Sequence, residues 1–243
     1  RGASQQCFIG YPRHVEKIKT KYKENCMQTI ERIYPNQLDK NCLDDQNTLR
    51  IHLERYQFAA QHAQGESILD MACGCGYGTF LLAQQHPEKQ VTGVDLDPEA
   101  IAYAQQHYQS DNLQFICANA EQFSALQPFD TIVSLETIEH LPCPVTLASN
   151  QVKLLSASGR LIASVPITPT LDGNPHHLHD FSQSSFLRLF SAFELHSIEH
   201  FEQIQWWQFK GLFSAQPDLQ KKHRSQGVGN AVLRYYLKNP LYL

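Results

Sequence analysis

The 243-residue chain lacks any apolar run long enough to span a bilayer, and its first residues lack a basic segment followed by an apolar one. Neither a membrane span nor a secretory leader is expected, and the chain reads as cytoplasmic. Strong charge of either sign is also missing: 20 Lys and Arg stand against 24 Asp and Glu, a net charge of −4, with a pI near 6.3. That removes the electrostatic footprint of a nucleic-acid binder, although a local basic patch stays open. The seven cysteines are an odd number scattered through apolar and loop contexts, so reduced thiols are expected and a disulfide framework is not. Cys73-x-Cys75 has no second pair at zinc spacing, and its place in a glycine loop gives it a steric role. No internal repeat is present. The chain begins with Arg1 and not Met, which predicts a processed or excised chain.

A chain of this length buries one substantial core, with a single α/β domain and a small extension as the default. Residues 1 to 13 read as a loose arm. From His14 to Tyr34, apolar residues recur at three- and four-residue steps, predicting an amphipathic helix that Pro35 stops. A polar link, 36 to 47, leads to a second helix from Thr48 to about His62, with Leu49, Leu53, Tyr56 and Ala60 on its stripe and Gly65 as its stop. Strands are predicted at Ser67 to Met71, Val91 to Asp95, Leu113 to Ala118, Thr131 to Leu135 and Arg160 to Val165. They alternate with helices at Tyr77 to Gln85, Pro98 to Tyr108 and Val145 to Leu155, which implies a parallel sheet covered on both faces. Asp97-Pro98 fits an N-cap followed by proline, and Ser158-Gly159 fits a helix stop. A helix from Ser182 to Phe190 and two last strands, near 193 to 200 and 203 to 209, complete the domain. The division expected is 1 to 64 for arm and helical cover, 65 to 210 for the core domain and 211 to 243 for the tail. The tail has a basic turn and an apolar docking stretch, with a homodimer contact or a lid as alternatives.

The richest stretch is Ser67 to Gly78, where a short apolar strand containing Asp70 runs into Gly74, Gly76 and Gly78. Glycine at alternate positions is not the dinucleotide spacing G-x-G-x-x-G, but it still suits a sharp turn that brings backbone close to a ligand at a helix N-terminus. Ligands of open α/β sheets lie beyond the carboxyl ends of the strands. Asp95 closes the second strand, and its carboxylate suits the two hydroxyls of a ribose, a device that NAD-binding sheets share, with a helix N-cap as the other reading. Asn119-Ala120-Glu121 follows the third strand, with a plain turn as the other reading. Leu135-Glu-Thr-Ile-Glu-His-Leu141 follows the fourth.

Taken in order, these motifs resemble the class I S-adenosylmethionine (SAM)-dependent methyltransferases over roughly Leu49 to Phe201. The resemblance implies a Rossmann-like, doubly wound, mostly parallel seven-stranded sheet of order 3-2-1-4-5-7-6 with an N-terminal helical cover. It places Asp70, Ala72, Gly74 and Gly76 beside the amino-acid end of SAM, and Asp95 and Leu96 at the ribose. Asn119 and the Ala120 amide go to the adenine, and Glu136 packs near the cofactor. His52-Leu-Glu-Arg-Tyr-Gln-Phe-Ala59 resembles the lead-in of bacterial methyltransferases of sugar and polysaccharide biosynthesis. In it Arg55 meets the SAM carboxylate or the acceptor, or forms a surface ion pair.

Methyl transfer needs an aligned acceptor and a group to take its proton. His140 is the first choice, with Glu139 beside it and His176, His177 and His179 in reserve. Glu136, Glu139 and His140 share one side of a turn at i, i+3, i+4. Together with His177 they resemble the Mg²⁺ or Mn²⁺ site of small-RNA terminal 2′-O-methyltransferases. The acceptor expected is a small hydroxylated molecule, a sugar or natural product, enclosed by the helical cover, residues 166 to 180, and Trp206, Trp207, Phe209 and Phe213. A small-RNA 2′-hydroxyl and a SAM-binding protein without turnover are the rival readings, with an NAD oxidoreductase last because of the glycine spacing and Leu135 to Leu141.

Overall fold

A computed structural model describes residues 32–38, 43–167, 176–195, 197–199, 201 and 203. Among them, five strands form one parallel sheet: β1 (Ser67–Met71), β2 (Gln90–Asp95), β3 (Leu113–Cys117), β4 (Phe129–Leu135) and β5 (Leu155–Ser164). Their order is β3-β2-β1-β4-β5, a Rossmann-like arrangement that turns at β1 and β4. The helices are α1 (Leu43–His62), α2 (Tyr77–Gln85), α3 (Pro98–His107), α4 (Pro144–Leu154) and α5 (Gln183–Arg188).

Strand alternation divides the core in two. Ile68 pairs with Val91 and Thr131, and Asp70 with Val133, so these side chains share one face. There Ile68, Val91, Val133 and Ile162 pack with Tyr56, Ala59 and Ala60 of α1 and Leu82 and Ala83 of α2. On the other face Leu69, Met71, Val94 and Ile132 meet Leu147, Ala148 and Leu154 of α4, together with Phe181 and Phe190. Asp70 is thus a carboxylate facing the α1 and α2 layer.

Helix α1 begins five residues before the predicted Thr48, within the expected polar link. Residues 32 to 34 are extended and Pro35–Gln37 is a single 3₁₀ turn. The predicted helix therefore does not reach Pro35, and the rest of it, before residue 32, lies outside the described residues. Asp97 caps α3 as expected, its side chain accepting from the Glu99 and Ala100 amides ahead of Pro98. Ser158-Gly159 does not stop α4. That helix ends at Leu154, and β5 runs through Gly159 past a register shift between Phe129 and Thr131. A Cβ on Gly159 would lie 3.1 Å from the Phe129 carbonyl and 3.0 Å from that of Ser156, so this glycine serves a strand bulge. Of the two last predicted strands, the described residues at 193–195 and 197–199 carry none. Positions 204–209 and the tail lie outside the described residues, as do Trp206, Trp207, Phe209 and Phe213.

Gly78 sets how closely α1 approaches the glycine loop. A Cβ there would come within 2.1 Å of the Tyr56 ring. Gly78→Ala is therefore expected to lower unfolding free energy by about 2–3 kcal/mol, read from a denaturant melt. An unchanged midpoint would show that the ring yields without loss.

Candidate active site

The carboxyl ends of β1, β2 and β4 converge on one edge, and the backbone there is unusual. Among the described residues, two non-glycine positions have left-handed backbone: Ala72 after β1 (φ 67°) and Glu136 after β4 (φ 49°). These strands are neighbours. Such conformations persist where surrounding structure imposes them, and they gather at functional sites. The amides of Ala72 and Cys73 both donate to the Val94 carbonyl, at 2.8 and 3.0 Å, which tethers the loop to β2.

The three loop glycines have different roles. Gly74 (φ 56°) has no atom within 4 Å of where its Cβ would be, so that side of it is open space. Gly76 (φ 82°) has Ala104 and Phe115 in that space, and Gly78 has Tyr56. For these two, glycine lets the protein pack on itself. Helix α2 then starts from Gly76 with no side-chain cap among the described residues, at the helix end whose first amides have no acceptor within the helix.

Asp95 stands at the end of β2 with its carboxylate fixed by backbone. Gly74 N donates to Oδ2 at 2.8 Å and Asp97 N to Oδ1 at 3.0 Å. Burial pushes its pKa up, opposed by the Gly74 amide and the Arg32 charge. Leu96, next along, is 66% exposed, an apolar surface beside the carboxylate. Asn119 closes a turn by accepting from Glu121 N at 2.8 Å, and the Ala120 carbonyl accepts from Asn150 Nδ2 at 2.7 Å.

Asp70 is buried beneath the loop. Thr79 Oγ1 donates to its Oδ2 at 2.6 Å and the Tyr56 hydroxyl at 3.1 Å, pinning α1 and α2 to the central strand. Burial pushes its pKa up to about 7 against those two hydrogen bonds, and Asp95 adds repulsion. On the same face of α1, His52 Nδ1 lies 2.9 Å from the Tyr77 hydroxyl. Burial, followed by the Arg55 charge, lowers the His52 pKa to about 4, so the ring is neutral near pH 7.

Arg55 pairs with Glu136, Nη2 to Oε2 at 3.2 Å, and donates through Nε to Gln203 at 2.8 Å. Ser164 holds Glu136 from the other side: its hydroxyl donates to Oε1 at 2.8 Å, and its carbonyl accepts from Glu136 N at 3.1 Å. Glu136 is thereby drawn away from the group it was predicted to join. Glu139, His140 and His177 do converge, with one ligand atom from each within 4.8 Å of the others. Glu139 is fully buried, and His140 Nε2 lies 3.9 Å from its Oε1. The His140 and His177 rings meet edge to face at 4.6 Å. Backbone ties the two segments together: Leu178 N and His179 N donate to the Glu139 carbonyl at 2.8 and 3.2 Å. His140 Nδ1 lies 3.2 Å from the His176 carbonyl. His179 Nε2 sits 2.9 Å from the Leu141 carbonyl, which gives that ring a place in the tether.

Sequence reasoning missed Arg32, Thr79, the His52 and Tyr77 pair, and the Tyr56 hydroxyl. The spacing of His52 and Tyr56 from the predicted Arg55, at i, i+3, i+4, was the available signal for two of them. The apolar stripe predicts Tyr56 as core, and its ring does pack there.

A family profile described as "Methyltransferase domain" matches residues 62–213. Among curated relatives, a malonyl-[acyl-carrier protein] O-methyltransferase from Acetivibrio thermocellus is 35% identical over 72 residues, 30% of this chain and 25% of that protein. A trans-aconitate 2-methyltransferase from Streptomyces avermitilis is 34% identical over 103 residues, covering 41% and 38%. A ubiquinone biosynthesis O-methyltransferase from Xylella fastidiosa is 36% identical over 104 residues, covering 41% and 42%. The matches thus span between a quarter and about two fifths of those relatives. Of solved structures, the YcgJ protein from Bacillus subtilis superposes with a TM-score of 0.55 at 20% identity, over 71% of this chain and 82% of that one. Magnesium protoporphyrin IX methyltransferase from Synechocystis PCC 6803, with bound S-adenosylhomocysteine, gives 0.53 at 19% identity over 63% and 77%.

Proposed function

We infer that this chain, which belongs to the methyltransferase-domain family, transfers a methyl group from SAM to a hydroxyl oxygen of a small molecule. The observation that carries this reading is Asp95: a carboxylate fixed by two backbone amides at the end of β2, beside open space above Gly74. Asp95 accepts the ribose hydroxyls, Leu96 packs on the adenine, and the bare backbone of Gly74 lies along the chain between sulfur and amino acid. Asn119 and the Ala120 amide serve the adenine edge. Ala72 and Gly76 hold the loop in shape, and Asp70 holds the layer beneath it. Arg55, already paired with Glu136, sits at the amino-acid end.

Bound SAM supplies an activated methyl, whose bond to sulfur breaks as the bond to the acceptor oxygen forms. The protein must align that oxygen in line and receive its proton. In this reading His140 takes the proton, a role supported by its Nε2 lying near the buried Glu139 and its Nδ1 against the His176 carbonyl. The relatives' names, O-methyltransferases of malonyl-acyl carrier protein and of ubiquinone biosynthesis, support oxygen as the accepting atom. A sugar or natural product is the acceptor class proposed.

The convergence of Glu139, His140 and His177 favours a second form of the same reaction, in which these three would hold Mg²⁺ or Mn²⁺, an ion that would supply Lewis-acid assistance to loss of the acceptor's proton. Glu136 is not a ligand in this reading, because Arg55 and Ser164 engage its carboxylate. The test is titration with S-adenosylhomocysteine and, separately, with Mn²⁺. Wild type is expected to bind the nucleoside without metal. Mn²⁺ binding that disappears in Glu139→Gln supports the metal form, whereas no Mn²⁺ binding leaves His140 as the base. His140→Ala should lower turnover by at least about a hundredfold at nearly unchanged cofactor affinity. Equal turnover would refute both forms.

A further inference from the structure

Asp95 has more donors around it than it can satisfy together with a ribose. A carboxylate offers about four lone-pair directions. Gly74 N and Asp97 N occupy two, and Arg32 Nη2 takes a third at 3.3 Å on Oδ1. A ribose diol needs two, and one is left. With the guanidinium in place the Asp95 side chain is only 9% exposed.

The two amides cannot leave without unmaking the glycine loop and the start of α3. Arg32 can, because it also pairs with Asp97 Oδ2 through Nη1. Its own side chain is 32% exposed. The residues after it have separate anchors: Ile33 is buried, and the Tyr34 ring meets Tyr103 edge to face at 5.0 Å. The segment therefore stays docked when the guanidinium moves.

We propose that Arg32 is an exchangeable latch on the cofactor site, displaced by the ribose diol from Asp95 onto Asp97 alone. The latch rests on the ribose role of Asp95 given above. It neutralises Asp95, and it lowers the apparent cofactor affinity by the share of molecules in which Asp95 is latched.

The experiment is calorimetric titration of the full chain with S-adenosylhomocysteine. Arg32→Gln should bind about fivefold more tightly than wild type, the scale of a partly exposed ion pair. Arg32→Lys, charged but without the planar fork, should fall between them. On wild type alone, added salt should tighten binding by screening the pair, and that response should vanish in Arg32→Gln. Equal or weaker binding by folded Arg32→Gln, or a wild-type affinity that does not rise with salt, overturns the latch. Absence of binding by wild type overturns the cofactor reading itself, so the two failures are distinct.

Discussion

Asp95→Asn is expected to weaken S-adenosylhomocysteine binding by at least about a hundredfold, because it replaces two charge-assisted hydrogen bonds with one neutral one. The carboxylate is already oriented by the Gly74 and Asp97 amides, so the ribose meets an acceptor whose ordering cost was met on folding. Asparagine keeps one oxygen for Gly74 N and turns an amino group towards the second hydroxyl and towards Asp97 N, where it repels the donor. The fold should survive, since Asp97 rather than Asp95 caps α3. Calorimetry paired with a thermal melt checks this. Near wild-type affinity in a folded variant would remove Asp95 from the site, and with it the observation on which the functional reading stands.

The second large effect is on stability and involves Asp70. Its pKa is raised from 3.8 to about 7, burial outweighing the hydrogen bonds from Thr79 and Tyr56. Between those values the folded protein holds a proton that the unfolded chain has released. The contribution of Asp70 is therefore complete below about pH 4 and is lost as pH rises to about 7, on the order of 4 kcal/mol in all. His52 acts in the opposite direction: its pKa falls from 6.5 to about 4, so its contribution grows with pH across most of the same window. Comparing Asp70→Asn with wild type removes the His52 contribution, which both proteins share. The variant should gain stability relative to wild type as pH rises from about 4 to 7, with a flat difference outside that range. Denaturant melts at a series of pH values measure it. A difference that does not change with pH would show that Asp70 stays ionised in the folded state.

These two aspartates mark how far the sequence could be read. Parallel strands and their covering helices were legible because apolar periodicity is local: β1 and α2 fall on the predicted residues, and most other elements differ by a few at their ends. Asp97-Pro98 was legible for the same reason, since a cap is made with the amides that follow it. Ser158-Gly159 was misread because the same pair suits a helix stop and a strand bulge. The choice was made by packing against the Phe129 carbonyl, 30 positions before Gly159 in the chain.

The sequence by itself determined the order of motifs along the sheet edge, and with it the family and the glycine loop, because each motif is a short run with its own backbone requirement. Tertiary structure alone decided which side chains meet. It put Glu136 with Arg55 and Ser164 and left Glu139, His140 and His177 together. It covered Asp70 with Tyr56 and set Arg32 on Asp95. Spacing along a turn places residues on one side of it, but a charge pairs with whatever partner packing delivers within hydrogen-bonding reach, and here the partners come from distant parts of the chain.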